Sequence, residues 1–193
     1  LAGGEQGDRE PGPSLGRHCK RALFGPAKRW HDKGVVGDAE RSFAELALAA
    51  EDDVVHGGDL VDVTAIAAGT ENLHRLRLRP SDIVAASRAD VFVQMGLSLE
   101  HAWVPGLLQT ARNSKIQPGA PGFISMSEGW EPISVPVEVS DEHAADVHPE
   151  GNPHFNIDPR AGRHMAETLG RAFAELMPES KDAIEQRTAA YLA

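Results

Sequence analysis

Residues 60–94, LVDVTAIAAGTENLHRLRLRPSDIVAASRADVFVQ, decide the fold. Residues 60–67 alternate apolar and polar side chains, use Val, Thr and Ile, and stop just before Gly69, which is the pattern of a strand running into a loop. Pro80 and Ser81 then open a short helix through Ile83, Val84 and Ala86. After Asp90 comes the apolar run VFVQMG, which predicts a strand covered on both faces. Strand, loop, helix and strand in this order form a βαβ unit. Strands alternating with helices through the rest of the chain predict an α/β protein with a doubly wound, mainly parallel sheet. In such a sheet ligands sit in the loops beyond the carboxyl ends of the strands.

Outward from this unit, Phe43, Leu46, Ala47 and Ala50 recur at helical spacing and predict a helix over 39–51. Ser98 is the expected N-cap of a helix carrying Leu99, Trp103 and Leu107 on one face, with Pro105 and Gly106 kinking it. Residues 122–126, GFISM, read as a brief strand, and 127–153 as mostly loop. Asp158 before Pro159 is a strong helix start, because Asp accepts from the free first-turn amides and Pro has no amide hydrogen to leave unpaired. Met165, Leu169, Ala172, Phe173 and Leu176 supply that helix's apolar stripe; Pro178 interrupts it, and Ile184, Thr188, Tyr191 and Leu192 carry a second stripe.

The charge is uneven. Of the 193 residues, 19 are Lys or Arg and 29 are Asp or Glu, a net charge of −10. Residues 1–34 hold seven of these bases and four of the acids, so that segment is at +3 and the remainder at −13. An acidic body opposes general affinity for nucleic acid or an anionic membrane surface and suits cations. Segment 1–34 is rich in Gly and Pro, has no sustained period, and reads as a disordered or irregular leader. One cysteine, Cys19, excludes an internal disulfide framework and a cysteine-rich zinc finger; beside His18 it has no spaced partners that would make a metal site. No apolar run is long enough for a membrane span, and no secretory signal is visible in the first 30 residues.

Signatures for dinucleotide binding, the P-loop, the HExxH metalloprotease and the nucleophile elbow are missing. Of nine histidines, two stand at loops where a neutral imidazole would face a cation: His74 in GTENLH and His154 in GNPHFNIDP. His148 lies six residues before His154, and two readings are equal: a turn containing Gly151 folds it back toward the same ion as a further metal ligand, or it is a surface residue. Residues 138–150 hold five acids with His143 and His148, either a solvated face or a weak cation-gathering loop. Glu100 needs no function at the start of a helix, where the dipole favours it, but it is a candidate outer partner for a ligating imidazole. A zinc-dependent hydrolase, with a His pair and Glu100 around the metal, accounts for the same residues as an alternative.

The segments GGDLVDVTAIAAGTENLHRLRLRPSD, RADVFVQMGLSLEHAW and DVHPEGNPHFNIDP, in this order, resemble the solute-binding proteins of zinc and manganese ABC importers. The resemblance covers residues 54–193, and 35–53 more loosely. It implies a protein of two α/β lobes joined by a long helix, with the metal between the lobes and two ligands from each. His74, ahead of Pro80-Ser81-Asp82, and His154, ahead of Asp158-Pro159, match the ligands of the first lobe. The chain is then expected to comprise the leader 1–34, a metal-binding lobe at 35–158, and a long connector helix over 159–193 directed toward a second lobe that lies outside it. What remains is half a site, completed by water, by His148 or by a second molecule, or else a truncated, non-functional product. The implied cargo is Zn2+, with Mn2+ as the alternative. The implied partner is the membrane permease of an ABC importer, and the implied location is periplasmic or extracellular. The face that a second lobe would cover is a candidate for self-association.

Overall fold

A computed structural model of the chain describes residues 20–26, 60–67, 72–133 and 148–193. The strands are β1 (Lys20–Pro26), β2 (Val61–Ala67), β3 (Val91–Gln94) and β4 (Phe123–Ser125), and the helices are α1 (Pro80–Arg88), α2 (Val104–Ala111), α3 (Pro159–Leu176) and α4 (Lys181–Leu192). All the strand pairings are parallel, in the order β2-β1-β3-β4. Ala22 lies opposite both Val63 and Val91, and Phe92 lies opposite Phe123. The chain therefore passes from β2 over β1 to reach β3, and the strand order reverses between β1 and β3 as in a doubly wound sheet.

One element departs from the sequence reading. Residues 20–26 fall in the segment expected to be irregular, yet they form the strand between β2 and β3. In KRALFGP the apolar run is only three residues long and is closed by Gly-Pro, too short to show a period. Pairing on both sides supplies what local pattern does not: the backbone groups of β1 are satisfied by two neighbours. The expected helix over 39–51, the pair His18 and Cys19, and the acids and His143 of 138–147 lie outside the described residues.

Two apolar clusters fill the two faces of the sheet. Val91 and Val93 of β3 and Ile124 of β4 pack with Met165, Ala166, Leu169 and Phe173 of α3. Phe92, on the opposite face of β3, packs with Ala86 of α1, Leu107 and Leu108 of α2, and Ile116. Burial of all of Val91, Phe92 and Val93 explains why this strand reads as an uninterrupted apolar run. The last 35 residues are not one long helix. The main chain leaves the α-helix at Met177, and α4 then packs against α3, with Gly170 so close to Thr188 that no Cβ fits between them. Because α3 covers a sheet face, it is part of the same packed body as the strands.

The Leu169 side chain is 1% exposed at the centre of the first cluster. Leu169→Ala is expected to lower unfolding stability by about 2–5 kcal/mol, read from urea midpoints at constant slope. A loss well under about 1 kcal/mol would mean that α3 does not cover the sheet.

Candidate metal centre

The loop that follows β2 is fastened at both ends. Arg79 donates through its guanidinium to the Ile66 carbonyl at 2.7 Å, at the end of β2, and to the Asp82 carboxylate at 3.1 Å. Asp82, almost fully buried, also accepts from the Arg79 backbone N–H at 2.8 Å and so caps α1. Between these anchors, Leu73–Arg75 make a short 3-10 turn in which the Asn72 Oδ1 accepts from the His74 backbone N–H at 2.9 Å. The Trp103 indole N–H donates to the Leu73 carbonyl at 2.8 Å, tying this turn to the start of α2. His74 is thus carried by a backbone held from three sides.

Trp103 owes its position to the turn that leaves β3. Gly96, Leu97 and Ser98 all have positive φ, at 87°, 51° and 61°. For Leu and Ser this left-handed conformation carries strain. The expected helix cap at Ser98 is therefore corrected: residues 97–103 are turns, the helix begins at Val104 with Trp103 as its N-cap, and Pro105 occupies the first turn instead of making a kink. Glu100 closes the turn, its two carboxylate oxygens accepting from the Met95 N–H at 2.7 Å and the Gly96 N–H at 3.2 Å. Gly96 is required here, since a Cβ would collide with the hydroxyls of Ser125 and Ser127.

The second histidine arrives from a different part of the chain. Gly151, at φ 109°, turns the backbone so that its N–H donates to the His148 carbonyl at 3.0 Å, and a Cβ on it would strike Pro132. The next residue, Asn152, donates from its backbone to the Ile133 carbonyl at 2.9 Å. Phe155 is buried and stacks on Trp130 with centroids 5.1 Å apart. Asp158 accepts from the Arg160 N–H at 2.8 Å and begins α3, and the Arg160 guanidinium beside it holds its carboxyl below the usual range.

These two loops bring the histidines together. The Nε2 atoms of His74 and His154, 80 residues apart in sequence, lie 3.4 Å apart. Two nitrogens bound to one tetrahedral zinc at about 2.0–2.1 Å stand about 3.3–3.4 Å from each other. The pair therefore has the spacing of one edge of a zinc tetrahedron. The His148 ring adjoins both, its centroid 4.9 Å from that of His74 and 5.9 Å from that of His154. Among the described residues no three His, Cys, Asp or Glu side chains already enclose an ion-sized point, so His148 is a neighbour of the pair and not a third converged donor. Glu100 is directed to the amides of its own turn. The sequence reading passed over Trp103 and the two asparagines as positioning groups, although the spacing Asn-x-His, at Asn72 and His74 and again at Asn152 and His154, was visible in it.

Residues 53–193 match the family model described as ZnuA, zinc-uptake complex component A, periplasmic. The chain belongs to this family. Among solved structures it is similar to a zinc-bound ZnuA deletion mutant, with 24% identity, a TM-score of 0.63, and 90% of this chain and 53% of that one covered. For a second ZnuA structure the figures are 22%, 0.61, 90% and 55%. For a Mn-bound periplasmic metal binding protein from Candidatus Liberibacter asiaticus they are 20%, 0.58, 89% and 51%. At these identities the structural likeness establishes the fold, and the chain spans about half the length of the solved structures it matches. A comparison with curated proteins found no match.

Burial pushes the Glu100 carboxyl up to about 7, against the Met95 and Gly96 amides that hold it down. With its folded pKa above the ordinary value of 4.5, the group's stabilising contribution is complete below about pH 4.5 and is lost as pH rises through about 7. Across that window the contribution amounts to up to about 3 kcal/mol. Relative to Glu100→Gln, which has no such titration, the unsubstituted protein is expected to lose stability between pH 4.5 and 7.5 in urea unfolding. A difference between the two proteins that stays constant with pH would show that burial does not raise the Glu100 pKa.

Proposed function

We propose that this chain supplies the first-lobe half of a divalent metal capture site, with zinc as the cargo, for delivery to the permease of an ABC importer on the periplasmic side. The observation that carries this reading is the approach of the His74 and His154 Nε2 atoms to 3.4 Å, from loops on opposite sides of two strands in the chain. Family membership supports it, as does an overall charge of −10, which draws cations in.

The mechanism is stoichiometric capture without turnover. Imidazole lone pairs displace water from the ion, and the remaining coordination positions are filled by water, by His148 after ring rotation, or by groups beyond this chain. Zinc is favoured over manganese because two nitrogens at a tetrahedral spacing suit it, whereas manganese asks for more oxygen donors. Protons compete for the same lone pairs, so affinity falls in acid. The hydrolase alternative loses support because the carboxylate it would recruit, that of Glu100, is buried and engaged by two backbone amides.

Calorimetric titration of the chain with zinc tests the reading. One ion per chain is expected, with His74→Ala and His154→Ala each weakening binding by more than the roughly 10–100-fold that losing an outer partner costs. Binding that survives both substitutions would place the ion elsewhere and end the proposal. Multiple-turnover ester hydrolysis in the presence of zinc would favour the hydrolase.

A further inference from the structure

Asn152 makes two contacts with His154 through one atom. Its Oδ1 lies 2.9 Å from the His154 backbone N and 3.0 Å from the His154 Nδ1. The backbone N–H can only donate, so the amide atom facing it is an oxygen, and the orientation of the amide is settled without reference to the ring. The same oxygen faces Nδ1 and can only accept from it. Nδ1 must therefore carry the ring hydrogen. In the neutral imidazole Nε2 then bears the lone pair, and Nε2 is the nitrogen that stands 3.4 Å from His74 Nε2.

We propose that Asn152 is the positioning residue that selects the Nδ1–H tautomer of His154 and so presents Nε2 to a divalent cation, a role that rests on the metal-capture reading above. Before the ion arrives, the contact between the two Nε2 atoms is satisfied by the His74 Nε2–H donating to His154. When the ion binds, the His74 hydrogen moves from Nε2 to Nδ1 by exchange with water, so that the ring stays neutral and its Nε2 lone pair is free for the ion. Asn72 occupies the same place two residues before His74 and accepts from the His74 backbone N–H, but its contact to the backbone says nothing about which nitrogen of the ring is protonated. Of the two asparagines, it is Asn152 whose geometry dictates ring chemistry.

The loop does not rest on the Asn152 side chain alone: that side chain accepts the His154 backbone N–H, but Asn152 is also fastened to the Ile133 carbonyl through its own backbone N–H and Phe155 is seated in the core. Substitution can therefore separate the tautomer from the fold. Long-range 1H–15N correlation spectra of the metal-free chain read the tautomer of His154 directly. The unsubstituted chain and Asn152→Asp, which keeps an acceptor oxygen in place, are expected to show Nδ1–H. Asn152→Ala is expected to revert to the Nε2–H form that imidazole prefers in water. Zinc affinity by calorimetry should fall about 10–100-fold in Asn152→Ala and be restored in Asn152→Asp. Nε2–H in the unsubstituted chain, or Nδ1–H persisting in Asn152→Ala, would overturn the assignment. Absence of zinc binding in the unsubstituted chain, with the tautomer as assigned, would overturn the capture reading and leave the tautomer assignment standing.

Discussion

The Glu100 carboxylate closes on the amides of Met95 and Gly96, and much of the site depends on that closure. It lets β3 leave the sheet through three successive residues with positive φ, two of which are not glycine. A turn that carries such strain persists only when its surroundings over-determine it, and two backbone hydrogen bonds to one buried carboxyl group do so. The turn delivers Trp103 to the start of α2, and the indole N–H of Trp103 holds the carbonyl that immediately precedes His74. A buried acid that touches neither imidazole thus sets where one of them stands.

His154 is held by different means with the same outcome. Its loop is shaped by Gly151, fastened to Ile133 by one backbone hydrogen bond, and seated by Phe155 against Trp130. Both histidines follow an Asn by two residues, and in both cases the Asn oxygen accepts the backbone N–H of the histidine. Each ring is therefore aimed by a backbone already fixed, and in the proposed capture little freedom is left to lose.

Elements with a clear period were legible in the sequence: β2 by alternation, β3 by its apolar run, α3 by its Asp-Pro start and apolar stripe. The strand β1 was not, because three apolar residues beside Gly-Pro carry no period and its strand character comes from pairing with β2 and β3. The helix over 98–107 was misread because apolar spacing says nothing about the left-handed backbone at Leu97 and Ser98. His74 and His154 were legible as candidates from loop position, and their meeting was not, since it depends on contacts such as Trp103 to Leu73 that link segments 30 residues apart. The role first considered for Glu100, beside an imidazole, gives way to one on the backbone: a buried carboxylate takes the donors nearest to it, and the two free amides of a strained turn were nearest.

If the pair captures an ion as proposed, the spacing of the two Nε2 atoms limits what this chain does alone. One edge of a tetrahedron fixes the distance of an ion from two donors but leaves it free to swing about the line between them. Only further donors off that line remove the swing. His148 adjoins the pair and would supply one if its ring rotated, but it is attached ahead of the Gly151 turn and shares the loop of His154, so it adds a donor without adding an independent anchor. A donor from a separate body fixes the ion and reports its arrival to that body, because the same bond that completes the coordination draws the two bodies together. On the proposed capture reading, two rigidly held imidazoles on one side are the arrangement such a closure requires: the ion lands at a defined place first, and the closing partner meets it there.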